Sequence, residues 1–260
     1  MPIVFHQKPG MVAYLTAGDP SLEFTRRIAI AAIDAGADVI ELGVPFSDPL
    51  GDGPVIQRAS ERALARGTHV ADVLAIARDL RAARPAAGLI LFTYFNPILR
   101  YGVARFCDDA KAAGADGVLV IDMIVEEANE YLAEMHRTGL APVFLAAPTS
   151  PDERLQSIAE HSEGFVYAIS RTGITGKQQS VAADAAELVA RIRRWSRLPV
   201  AVGFGISNAQ HVAQVGEFAD AAVVGSAIVE LIERSAPESS PDAVARFITG
   251  LRQPQAAQAR

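Results

Sequence analysis

One cysteine, Cys107, stands in the whole chain of 260 residues, so no internal disulfide can form. Its neighbours read as helical, where a lone thiol serves as a buried apolar filler rather than a nucleophile. No apolar run approaches the ~20 residues of a membrane span. The first residues, Met1 to Lys8, lack the apolar stretch of a secretory signal, and a cytoplasmic protein is expected. Basic residues are not in excess: 24 stand against 30 acidic ones, for a net charge of -6, which excludes a general nucleic-acid surface. The five histidines, at 6, 69, 136, 161 and 211, show no ligand spacing, so no metal site is expected. Neither a Gly-x-Ser-x-Gly elbow nor a Walker loop is present.

What is present is an ordinary globular composition, 50% hydrophobic and 21% charged. Eight short apolar runs recur, at 12–17, 39–44, 89–95, 117–122, 142–147, 164–170, 200–205 and 221–225. Helical patterns lie between them, for example at 23–35, 70–83, 126–138, 182–195 and 209–215. Strands alternating with helices imply a parallel sheet. Eight such units in this length predict an α/β fold, a (β/α)8 TIM barrel, as a single domain over 1–260. Residues 55–65 read as an extra helix after strand two, and 253–260 as a frayed polar tail. In such a barrel the site lies at the carboxyl ends of the strands.

The most informative stretch runs from Glu41 to Pro54. Period-two alternation sets Val39, Glu41 and Gly43 on one face of a run whose two faces are both largely apolar. Glu41 is then committed to an interior, where an unpaired charge costs several kcal/mol. A catalytic acid and a structural ion pair both fit that position. The prolines and glycines that follow exclude a helix and give a stiff loop. Within it Asp52 sits between Gly51 and Gly53, either as a plain turn or as a second carboxylate presented over Glu41's strand. Near the other end of the chain, Gly203-Phe204-Gly205 and Gly225-Ser226 each place glycine between a strand end and a helix. Strands seven and eight of a barrel commonly build a phosphate seat from such turns and a helix N-terminus.

Glu-Leu-Gly-Val-Pro-Phe-Ser-Asp-Pro-x-x-Asp-Gly-Pro resembles the signature of the tryptophan synthase alpha subunit family, and the likeness extends over nearly the whole chain. It implies retro-aldol cleavage of indole-3-glycerol phosphate, with Glu41 as proton donor and Asp52 as the acid facing the indole N–H. It places Tyr94 and Tyr167 at the substrate pocket and gives 171–178 the role of a closing loop, on which Thr175 meets Asp52. It adds Gly176 to Gly205, Gly225 and Ser226 as the phosphate seat. No cofactor is implied for this chain; the family's pyridoxal phosphate belongs to the beta subunit. That subunit is the implied partner, in an alpha2beta2 tetramer, with contacts through Pro45, Asp48, Asn96 and Ile124. Ile124 stands where the family has proline, a departure that bears on docking rather than chemistry. The helix that often precedes strand one is replaced here by residues 1–10, which predicts a less well plugged barrel floor. A stand-alone lyase releasing free indole and a non-catalytic phosphate-binding barrel are the competing readings.

Overall fold

The structure is a computed structural model that describes residues 3–169, 178–203 and 205–252, with residues 178–182 described by backbone alone. In chain order it runs β1 (Gly10–Thr16), α1 (Leu22–Asp34), β2 (Val39–Gly43), α2 (Pro54–Ala65), α3 (Val70–Ala83), β3 (Gly88–Thr93), α4 (Phe95–Tyr101), α5 (Val103–Ala112) and β4 (Gly117–Val120). It continues with α6 (Asn129–Thr138), β5 (Ala141–Val143), β6 (Leu145–Ala146), α7 (Asp152–His161), β7 (Val166–Ile169), α8 (Gln178–Ile192), β8 (Val200–Gly203), α9 (Ala209–Gly216), β9 (Ala221–Val224), α10 (Ser226–Arg234) and α11 (Ser240–Arg252). All the pairings are parallel, in the order β5-β4-β3-β2-β1-β9-β8-β7-β6. The expected TIM barrel is therefore formed, with α2 as the extra helix after β2.

Its fifth strand is cut in two. β5 pairs with β4 and β6 with β7, and the Phe144 carbonyl between them accepts from the Tyr167 N–H at 3.1 Å, so the two edges meet there. The strand expected over 89–95 ends at Thr93 instead. The Asp122 carboxylate accepts from the Phe95 N–H at 2.7 Å and starts α4, whose first turn tolerates Pro97. Pro151 occupies the N-cap of α7; the Ser150 hydroxyl accepts from the Ala147 N–H at 3.3 Å.

Side-chain alternation divides the apolar residues into two cores. Met11, Ala13, Leu15, Ile40, Leu42, Leu89 and Leu91 point outward and pack under the helices. Val12, Tyr14, Val39, Ile90, Phe92, Leu119, Val143 and Val223 fill the barrel. Burying each large aliphatic side chain contributes about 1.5–3 kcal/mol.

The floor is plugged, contrary to expectation. Ile3 belongs to the inner core, and Phe5 meets the Phe165 ring edge-on with centroids 6.1 Å apart. Two apolar side chains from an extended segment thus do the work that a preceding helix was expected to do. The floor also carries a repeated polar device: an aspartate one residue before a strand. Asp38 accepts from the backbone N–H groups of His6 and Met11 and from Arg252, at 3.1, 2.8 and 2.8 Å. Asp116 accepts from the Leu89 N–H at 2.9 Å and from Arg81 at 2.6 Å. Asp220 accepts from the Val200 N–H and Arg193, both at 2.8 Å. Each carboxylate ties the start of its own strand to the start of a neighbour.

Candidate active site

Glu41 lies on the inner face of β2, flanked in register by Tyr14 of β1 and Ile90 of β3. It is 1% exposed, and neither carboxylate oxygen has a hydrogen-bond partner among the described residues. The ion-pair reading left open by the sequence thus finds no partner for Glu41 among them. Burial pushes its pKa up to about 8, so at neutral pH the side chain holds a proton.

Asp52 is delivered by the loop that leaves β2. The Asp52 N–H donates to the Pro49 carbonyl at 3.0 Å, a tight turn that needs the small Gly51 at its centre. The Tyr94 hydroxyl accepts from the Gly51 N–H at 2.9 Å and donates to Asp52 Oδ2 at 3.1 Å. Behind the turn, Pro54 opens α2, and the Gln57 amide donates to the Asp52 carbonyl at 2.9 Å. Burial raises the Asp52 pKa to about 6 against the lowering effect of the Tyr94 bond. The two acids therefore differ in state near pH 7: Glu41 is protonated and Asp52 ionised.

Three tyrosines surround them. Burial drives the hydroxyls of Tyr14, Tyr94 and Tyr167 well above their ordinary pKa. Tyr14, which meets Phe92 edge-on at 5.1 Å, feels the charges of both Asp52 and Glu41. Each hydroxyl lies over a glycine. A Cβ at Gly43 would collide with the Tyr14 hydroxyl, one at Gly203 would stand 2.7 Å from that of Tyr167, and one at Gly51 would stand 3.2 Å from that of Tyr94.

A cavity of about 130 Å³ opens beside Glu41, lined by Tyr14, Phe92 and Tyr167 together with Gly205, Gly225 and Ser226. The buried acid and the two glycine turns near the chain's end are thereby brought together. Asp52 and Tyr94 are not in that lining and meet each other next to it. Gly205 has φ +65°, with open space where a side chain would be. Ser226 begins α10, with Gly225 as its N-cap. Thr175 and Gly176 lie outside the described residues, as do the rest of 171–177 in the closing loop expected over 171–178 and the tail over 253–260; Gln178, the last residue of that loop, begins α8.

Sequence reasoning passed over Tyr14, Phe92 and Ile56 in the lining. Tyr14 carried a legible signal, because its position two residues from Val12 sets it on the inner face. Sequence reasoning also passed over an ion network between α2, α10 and the loop after β1. Arg62 on α2 donates to both oxygens of Asp19, at 2.9 and 2.7 Å, and to Glu233 of α10 at 2.7 Å. Arg58 donates to both oxygens of Glu233, at 2.9 and 2.8 Å, and these bonds hold Glu233 down near a pKa of about 2.

Of the residues expected to meet a partner, Asp48, Asn96 and Ile124 are exposed, whereas Pro45 is buried. Pro45 and Asn96 line one groove of about 490 Å³ together with Phe46, Leu64 and Arg100. Leu50, at 92% exposure, adds bare apolar surface to the loop that carries Asp48, and Leu99, at 58%, to the helix α4 that carries Asn96. Among the described residues, no helix is long and apolar enough to cross a membrane.

Comparison with known proteins gives a consistent picture. The sequence profile of the family described as tryptophan synthase alpha chain matches residues 4–258. A tryptophan synthase alpha chain of Solibacter usitatus is 53% identical over 233 residues, covering 90% of this chain and 87% of its own length. That of Geobacter sulfurreducens is 46% identical over 248 residues, covering 95% and 94%. Among solved structures, the tryptophan synthase complex of Pyrococcus furiosus superposes with a TM-score of 0.86 at 39% identity, over 94% of this chain and 98% of the other.

Proposed function

The chain belongs to the tryptophan synthase alpha chain family, and from that premise we propose that it cleaves indole-3-glycerol phosphate to indole and glyceraldehyde 3-phosphate. The observation that carries this reading is the buried, protonated Glu41 without a partner among the described residues, set near an ionised Asp52. Retro-aldol cleavage needs both states at once. Glu41 gives its proton to indole C3. Positive charge then develops at the ring nitrogen, where the Asp52 carboxylate, oriented by Tyr94, accepts the N–H and stabilises it. The C3 side-chain bond breaks next, and its electron pair restores the aromatic ring. The hydroxyl on the departing carbon becomes an aldehyde and returns a proton to the Glu41 carboxylate, which is then ready for another turnover.

Tyr14, Phe92 and Tyr167 hold the ring at one end of the cavity. At the other end, Gly205, Gly225 and Ser226 receive the phosphate: glycine lets backbone N–H groups approach, the Ser226 hydroxyl donates, and the α10 N-terminus favours the anion. Thr175 and Gly176 complete this assignment by family likeness. The chemistry is proton transfer and electrostatics, with the family's pyridoxal phosphate assigned to the beta subunit. We place the protein in the cytoplasm as a single barrel domain. Its partner is a tryptophan synthase beta subunit in an alpha2beta2 tetramer, met through Pro45, Asp48, Asn96 and Ile124, with Leu50 and Leu99 as apolar neighbours. Indole release from indole-3-glycerol phosphate, measured with and without a cognate beta subunit, is the test. Release that quickens on docking is the expected result, and no release under either condition overturns the reading.

A further inference from the structure

A substrate held at both ends needs those ends at a set separation. Asp52, at the indole end, is followed two residues later by the first residue of α2, while the phosphate end is the first turn of α10. The two helices pack against each other, and buried Ala59 of α2 and Val229 of α10 both belong to the inner core. Apolar contact of this kind is tolerant of sliding. The polar contacts above it are not. Arg62 forks onto both oxygens of Asp19, in the loop after β1, and reaches Glu233 on the last turn of α10 with its remaining nitrogen. Arg58, one turn earlier on α2, forks onto both oxygens of the same Glu233. Planar two-point bonds fix angle as well as distance, and lysine cannot reproduce them. Asp19 is almost fully buried, so the network is anchored to the barrel rather than floating on its surface.

We propose that Arg62 is a positioning residue: through Asp19 and Glu233 it holds α2, and with it Asp52, in register with the N-terminus of α10, so that one ligand engages both ends of the site. This rests on the assignment of Asp52 to the indole end and Ser226 to the phosphate end. A misplacement of about 1 Å remote from the chemistry can cost up to ~10²-fold. The cost falls only on ligands that span the site, because each end by itself remains intact.

Calorimetric binding of three ligands reads this directly: indole, glycerol phosphate, and indole-3-propyl phosphate, which carries both ends but lacks the reacting hydroxyls. Glu233→Met removes both carboxylate oxygens, and with them both ties to α10, at a partly exposed position and keeps the Asp19–Arg62 pair. Asp19→Asn with Arg62→Met removes the network without stranding a buried charge. Both are expected to weaken the spanning ligand by about tenfold while the two single-ended ligands change by less than about twofold. Arg62→Lys should fail to restore the spanning affinity, and Arg58→Met, which leaves the Arg62 fork in place, should keep it. Unchanged spanning affinity in Glu233→Met and in the double variant overturns the proposal. So does a parallel loss for all three ligands, which would mean that one seat has collapsed. A parent protein that binds neither the spanning ligand nor its parts overturns the assignment of the site, and the proposal with it.

Discussion

The two ends of the barrel treat buried carboxylates in opposite ways. At the floor, Asp38 accepts from two backbone N–H groups and from Arg252, and Asp116 from the Leu89 N–H and from Arg81. At the mouth, Glu41 is just as deeply buried and neither of its oxygens is bonded among the described residues, while Asp52 has one tyrosine. The floor acids are stitched into strand starts and hold the barrel together. The mouth acid has no such ties among the described residues, and burial keeps its proton on near neutral pH; under the proposed mechanism that is the proton delivered to substrate. On that proposal, position along the barrel axis rather than residue type separates structure from chemistry.

The sharpest way to test that contrast is Glu41→Gln. The change keeps size and polarity but removes the transferable proton. Single-turnover indole release should fall by ~10²–10⁴-fold, the usual contribution of a general acid or base. Stability in a denaturant melt should stay level or rise by about 1–3 kcal/mol. A variant that melts early yet still cleaves would make Glu41 a floor-type acid in the wrong place. The converse change is Asp38→Ala, which strands two backbone donors and Arg252. A melt should show a loss of about 3–5 kcal/mol, with the turnover of the remaining folded protein unaltered.

Gly225→Asp sets a carboxylate at the proposed anion seat, and KM should rise by about tenfold or more with the melt unchanged, because electrostatic repulsion replaces a helix-end attraction. An unaltered KM would remove the seat from the turn after β9. The pH profile of kcat/KM should be bell-shaped, rising as Asp52 ionises near pH 6 and falling as Glu41 loses its proton near pH 8. A second pH effect is on stability. Glu41 keeps its proton in the folded state up to about pH 8, whereas the unfolded chain loses it near 4.5. The folded form therefore binds more protons across that window, and the contribution of Glu41 to stability declines as pH rises through it. Glu41→Gln should flatten that slope in melts recorded between those limits.

Most of the barrel was legible because period and spacing are properties of single segments. The extra helix was read as 55–65 and is Pro54–Ala65, since the Pro and Gly residues before it mark its start unambiguously. Glu41 was legible as a buried acid from alternation alone. Its lack of a partner among the described residues was not, because that depends on what the neighbouring strands present. The cut at Phe144 and the start of α4 escaped for the same reason: each is set by a bond to a distant residue, Tyr167 in one case and Asp122 in the other. Ile3 and Phe5 escaped because two apolar residues in an extended segment have no periodicity to read. The Arg62 network was out of reach as well, since Asp19 and Glu233 lie 43 and 171 residues away from it.

The three glycines beneath the tyrosine hydroxyls restrict the order in which this site can change by mutation. At 43, alanine cannot be accepted while tyrosine stands at 14, because the added methyl would occupy the space of the hydroxyl. The ring must shorten or withdraw first, and only then can the strand below it take a side chain. The same holds for 203 under Tyr167 and, less tightly, for 51 under Tyr94. Positions that read as unrelated in the sequence are therefore inherited in pairs, and a change of pocket shape in a descendant of this chain begins at the tyrosine, never at the glycine.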